Sequence, residues 1–261
     1  MRKISLCFGL VLLLTLAACG GGNQAPQFPD LPAGSGGGTA DGPPANATAT
    51  LTGKIAFEGT PPPAARIQMS ADPYCAQNST NPVSEEVIVS DGGLETVILY
   101  ISSGLSQASF PAPSTPVVID QKECHYIPHV FTMQVNQPLK IRNSDATLHN
   151  IHAYSQKNTP FNLGQAVQNM ESTVTTLDME EVPLPIRCDV HRWMGAYVGV
   201  FHHPFHTVSK QGGAYEMKLP AGNYEITAIH EKYGMQTQMV QVADNGTAEL
   251  NFTFKPTATG D

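Results

Sequence analysis

Cys188-Asp189-Val190-His191-Arg192-Trp193-Met194 places a thiol, an imidazole and a thioether at three-residue intervals on one short loop. Val182 to Cys188 reads as an incoming strand, and Ala196-Tyr197-Val198-Gly199-Val200-Phe201 as an outgoing one. A loop pinned at both ends by paired strands aims three side chains at one point with little freedom left over. A buried cysteine and a core histidine would account for Cys188 and His191 separately, and Cys-x2-His alone is half a zinc site. Neither accounts for Met194 at the same interval.

A fourth ligand must come from elsewhere in the chain. About forty residues upstream, Pro138-Leu139-Lys140-Ile141-Arg142-Asn143-Ser144-Asp145-Ala146-Thr147-Leu148-His149-Asn150 reads as a strand, an Asn-x-Asp turn and then His-Asn. Thiolate, two imidazoles and a weak thioether are the blue-copper ligand set. Together with the strand pair running from Tyr126-Ile127-Pro128-His129-Val130 to Val135, these motifs make residues 117–203 resemble the cupredoxins, plastocyanin and amicyanin among them. The Cys-x2-His-x2-Met loop has the amicyanin length. The resemblance implies one type 1 copper ion held by His149, Cys188 and His191, with Met194 axial and Asn150 tying the His149 strand to the ligand loop. It also implies an electron exit at the edge of His191, in a patch shaped by Arg192 and Trp193. Asp189-Val190 replaces the Thr/Ser-Pro often found between the cysteine and the histidine. Pro183 and Pro185 interrupt the strand entering Cys188.

Outside this region the chain is also rich in short strands. Thr50 to Phe57 alternates polar and apolar residues, and Val87–Val89 and Thr96–Ile101 read as strands too. Further on, Gly213–Leu219, Asn223–Ile229, Met235–Val242 and Thr247–Phe254 form an antiparallel set, with a turn at Pro220-Ala221-Gly222. No segment shows a 3.6-residue period, although Ser84–Glu86 and Asn162–Asn169 could each hold a helical turn. The fold class is therefore all-β. The Pro-x-Gly-x-Tyr step at 220–224 and the opening Gly53–Gly59 resemble the carboxypeptidase regulatory-like family, a transthyretin-like sandwich. This implies one sandwich from 49–104 plus 205–256, with the copper domain, 115–204, inserted between its halves; two consecutive domains are the alternative.

Arg2 and Lys3 precede an apolar run, Leu10–Leu16, too short to span a bilayer. Leu16-Ala17-Ala18-Cys19 resembles the lipobox of bacterial lipoproteins, which implies a signal peptide over 1–18 and a lipid on Cys19. Gly20 after the cysteine favours the periplasmic face of the outer membrane. Residues 19–48, mostly Gly, Pro, Ala, Thr and Asn, would be a flexible tether. The net charge is −8, and loss of 1–18 removes two cations and no anion, leaving −10. That balance argues against nucleic acid as a partner. Of the five cysteines, Cys75, Cys124 and Cys188 remain in the folded part. In an oxidising compartment Cys75 and Cys124 suit a disulfide, and Cys188 is left over for metal.

An electron-transfer role, with other redox proteins as partners, follows from a rigid single-copper site. Catalysis by this chain alone is not expected: there is no His-x-His pair, Cys188 is flanked by Arg187 and Asp189 rather than histidines, and no haem-attachment motif occurs. Copper capture or delivery is an alternative, although the methionines are scattered. A structural surface module is another. His202, His203 and His206 cluster in sequence, but His202 and His203 would face opposite sides of a strand; a second metal site there, or with His125, His129, His152 or His230, is not indicated by spacing.

Overall fold

The computed structural model describes residues 44–106 and 110–256; the signal segment, Cys19 and most of the tether lie outside these. Among the described residues no helix is long and apolar enough to cross a membrane. In chain order, the first strands are β1 (Ala49–Phe57), β2 (Val89–Ser90), β3 (Gly93–Leu94) and β4 (Ile98–Ser103). Next come β5 (Val117–Lys122), β6 (His125–Ile127), β7 (Val130–Gln134), β8 (Leu139–Asn143), β9 (His149–Ala153), β10 (Asn162–Gln165), β11 (Glu171–Val174), β12 (Glu181–Arg187) and β13 (Gly195–Phe201). The last are β14 (His206–Val208), β15 (Ala214–Leu219), β16 (Gly222–His230), β17 (Gly234–Val242), β18 (Thr247–Glu249) and β19 (Phe252–Phe254). The architecture is all-β, as the strand patterns imply.

Alternation marks the strands with one solvent-facing side, whereas β7 is buried at every position. In β15, Tyr215, Met217 and Leu219 point into the core while Ala214, Glu216 and Lys218 face out; in β5, Val117, Ile119 and Gln121 are buried between more exposed neighbours. Two sheets, β10-β9-β12-β13-β7 and β11-β8-β5-β6, enclose the central core, where Ile119, Leu139, Ile141, Ile151 and Leu184 are fully buried. Burying each such side chain contributes about 1.5–3 kcal/mol. The pairing is mixed: β5 runs parallel to β8, and β7 parallel to β13, while β9, β12 and β13 are antiparallel neighbours. This is a cupredoxin-like sandwich arrangement. Pro183 does not break β12, because the register with β13 shifts between Glu181 and Leu184 and a bulge absorbs its missing donor, while Pro185 stays in register opposite Tyr197.

The flanking strands pair across the whole length of the chain. β1 lies antiparallel to β15 and parallel to β18 and β19, and β4 sits between β14 and β16. Their core contains Leu51, Ile55, Leu99, Ile226 and Phe252. A smaller cluster of Ile98, Val130, Phe201 and Ile229 joins this sandwich to the central one. His129 and Glu231 form an ion pair across the same junction.

The structure corrects the helical turns. Asn162–Gln165 is strand β10 and Ser84–Glu86 is irregular, whereas the helix is α1, Pro73–Asn78. Asp72 caps it by accepting hydrogen bonds from the Tyr74 and Cys75 amides, and proline occupies its first turn. The cap signal is local; no apolar period announces so short a helix. Residues near α1 leave the flanking sandwich, and Met69 and Cys75 are buried in the central core.

Candidate metal centre

The site forms at one end of the central sandwich, where the β8–β9 turn meets the β12–β13 loop. In the turn, Asn143 Oδ1 accepts the Asp145 amide (3.0 Å), and Asn143 Nδ2 donates to the carbonyls of Thr147 and Gln165, both at 2.9 Å. This Asx geometry delivers His149 to the first position of β9. On the loop, the Cys188 amide donates to the Met194 carbonyl (3.2 Å) and the Met194 amide to the His191 carbonyl (2.9 Å). The loop therefore closes on itself and turns Cys188, His191 and Met194 inward; all three are buried, as is His149.

One ligand atom from each of His149, Cys188 and His191 lies within 4.8 Å of the others. Asn150 joins the two halves: its Oδ1 accepts the Asp189 amide (2.7 Å) and the Cys188 thiol (3.3 Å), and its Nδ2 donates to Asn162 and Asp189. Cys188 is the free cysteine among the described residues, while Cys75 and Cys124 are disulfide-bonded. Burial pushes the Cys188 thiol up, but hydrogen bonds from His149 and His191 outweigh it and bring it down to about 5.

The two imidazoles supply the sharpest test of what belongs here. His149 Nε2 lies 2.9 Å from Asp145 Oδ2, and His191 Nε2 lies 2.9 Å from Asp72 Oδ2. A carboxylate only accepts, so each Nε2 carries the donated proton. The two Nδ1 atoms then face each other at 2.9 Å, too close for both to carry a proton. Such a pair requires a shared proton or a cation. An imidazole Nδ1 pair and a cysteine sulfur suit soft or borderline ions, copper foremost, and Met194 is buried on the same loop.

Asp145 accepts more than His149: the Glu123 and Cys124 amides both donate to it at 2.8 Å. Burial raises its carboxyl, but His149 and those two amides pull it below the usual range. Burial likewise tends to lower the His149 pKa, and Asp145 and Cys188 more than reverse that. For Asp72, burial acts upward, and Thr147 and His191 draw the carboxyl down.

The surroundings of His191 differ from the expected exposed edge. His191 is 3% exposed, because Asp72 and Cys75 of the α1 segment lie against its Nε2 side, with the Cys75 sulfur 3.8 Å away. Trp193 packs on the His191 ring (4.9 Å between centroids) and donates to the Cys124 carbonyl, while Arg192 is exposed. Asp72 and the imidazole role of Asp145 were missed in the sequence. Asp145 stood inside the quoted turn, but Asp72 carries only a helix-cap signal.

The other histidines go elsewhere. His152 stacks on Tyr154 and meets Asp189; His203 and His206 flank the Phe201 ring; His125 contacts the Glu123 carbonyl. His202 is exposed, and His230 stacks on Tyr233. The remaining candidate ligand groups among the described residues reuse His149 or His191 with a disulfide sulfur, which is not free to ligate.

No protein-family model matches the chain, and no curated protein matches it. Among solved structures, the copper-containing nitrite reductase from Thermus scotoductus SA-01 is 14% identical, with a TM-score of 0.32, over 38% of this chain and 25% of that one. The chain thus spans a quarter of the reductase's length. An oxidised amicyanin variant is 17% identical over 39% of this chain and 97% of its own, with a TM-score of 0.30. A purple cupredoxin from Nitrosopumilus maritimus is 19% identical over 32% of this chain and 97% of its own, with a TM-score of 0.27.

Proposed function

We propose that this chain is a type 1 copper protein that passes single electrons between redox partners. His149, Cys188 and His191 would hold one copper ion, with Met194 as the axial ligand. The observation that carries the reading is the pair of Nδ1 atoms facing each other at 2.9 Å while both Nε2 atoms are engaged by carboxylates, with the free Cys188 sulfur in the same cluster. Copper bound there supplies a one-electron Cu(II)/Cu(I) couple.

The protein's part is to keep the donors still. Asp145 and Asp72 set the tautomers of the two rings, and the β12–β13 loop fixes the spacing of Cys188, His191 and Met194. Asn150 holds the loop to β9, and the Cys188 sulfur accepts the His191 amide at 3.3 Å. Such a frame limits rearrangement between oxidation states. A metal held there would compete with protons for the facing Nδ1 atoms and the Cys188 sulfur, so loading should weaken as pH falls.

In this reading the chain is an electron carrier. The lipobox-like segment would anchor it at the periplasmic face of the outer membrane through Cys19. The flanking sandwich, 49–104 without its α1 segment plus 205–256, would be a frame into which the copper domain is inserted. The test is a visible and electron paramagnetic resonance spectrum of the soluble fragment loaded with Cu(II). An intense copper–thiolate band near ~600 nm, the region expected of this ligand set, should appear and be lost in Cys188→Ser. A pale complex indifferent to Cys188 would defeat the reading.

A further inference from the structure

His191 is held in a way its own loop does not explain. The segment around α1 folds back on itself: Ile67 donates to the Pro82 carbonyl and Ser84 to the Ala65 carbonyl, both at 2.8 Å. It then docks on the central sandwich, where the Cys75–Cys124 disulfide ties α1 to the turn between β5 and β6, and the Thr80 amide donates to Glu123 (3.0 Å). At its tip Asp72 divides its carboxylate between two tasks. Oδ1 caps α1 through the Tyr74 amide (2.7 Å), and Oδ2 receives both His191 Nε2–H (2.9 Å) and the Thr147 hydroxyl (2.8 Å). Thr147 lies in the turn that presents His149, so a single carboxylate oxygen links the two halves of the site.

We infer that Asp72 is a positioning residue for His191, supplied by a cross-linked strap from 119 residues away. The inference rests on the copper reading above. By accepting the Nε2 proton, Asp72 fixes the tautomer that turns Nδ1 toward Cys188 and stops the ring from swinging outward. Its negative charge makes the imidazole a stronger donor and favours the more highly charged ion, Cu(II), over Cu(I). The same contact closes the ring edge that would otherwise meet solvent or a partner, leaving Asp189, Val190 and Arg192 as the exposed residues of the loop.

Asp72→Ser and Asp72→Asn separate this role from helix capping, because serine and asparagine both cap. Serine is too short to reach His191, and asparagine keeps an acceptor without the charge. In the metal-free protein, nitrogen-correlated NMR should show His191 as the Nε2–H tautomer with a slowly exchanging ring proton. Asp72→Ser should lose that protection while His149 keeps its own. In the copper-loaded protein, both variants should shift the preference between oxidation states toward Cu(I) by on the order of tenfold. That corresponds to a rise of about 59 mV for a one-electron couple. A protected His191 proton and an unmoved potential in Asp72→Ser would overturn the inference while the copper–thiolate band stood. Absence of that band from the wild-type protein would instead remove the copper reading, and the inference with it.

Discussion

The two imidazoles of the site have the same chemistry and are anchored from opposite ends of the distance scale. His149 rests on Asp145, four residues away in the same turn, and that carboxylate is fixed by two backbone amides. His191 rests on Asp72, which reaches the site only because the strap docks and is cross-linked. The first arrangement forms whenever the turn forms. The second depends on packing between segments that are far apart in the chain. The Asp145 side chain is 3% exposed and that of Asp72 18% exposed, so the local anchor is also the drier one. A local contact can therefore carry stability, while the distant one adjusts the metal.

Breaking the local anchor should have the largest effect. Asp145→Ala leaves the Glu123 and Cys124 amides and a buried His149 N–H without their acceptor, and should cost about 5 kcal/mol, the upper end for removing one partner of a buried charged pair. Urea unfolding of the metal-free protein measures it; a loss no greater than that of Asp72→Ala would erase the contrast. Releasing the strap comes next. The bridge spans a sequence separation of 49. Replacing both Cys75 and Cys124 by serine should cost about 4 kcal/mol, as expected for a closed loop of this length. It should speed exchange of the His191 ring proton and spare that of His149. Equal acceleration at both rings in NMR would show that the two sides are not independent.

Asn150 lies where the two sides meet, and its Oδ1 accepts the amides of Asp189 and Val190. Asn150→Ala should destabilise by about 2 kcal/mol, the order expected for orphaned buried donors, and should broaden the copper signal in paramagnetic resonance. A full-strength, unbroadened signal would place the loop's rigidity elsewhere. The smallest effect is in acid. Both carboxyls sit below their unfolded value of about 3.9 in the folded protein, so their contribution is present above that pH and is lost as pH falls through the folded values. Metal-free protein should lose stability in that window, and Asp145→Asn should flatten the curve more than Asp72→Asn does. The reverse order would make the strap the dominant anchor.

The ligand loop was legible because its information is local. Cys188, His191 and Met194 fall at three-residue intervals between two strands, and the Asn143-Ser144-Asp145 turn announces His149 by its own Asx chemistry. The strands were legible for the same reason, since alternation marks which face of β5 or β15 is buried. The prolines of β12 were misleading. They suggested an interruption, but whether a strand survives a proline depends on its pairing register, and β12 itself bulges against β13 around Pro183.

Composition and period determined that this is an all-β chain, motif spacing put Cys188 beside a histidine and a methionine, and the cysteine count left one of three thiols over. Tertiary structure decided how the ligands are held. It brought Asp72 against His191, covered the ring edge that the loop alone would leave open, and laid the α1 segment on the central core rather than on the sandwich it departs from. Periodicity and motif spacing report contacts made within a few residues or along one strand. A contact across 119 residues is set by which surfaces exclude water together, and no local pattern in the chain encodes it.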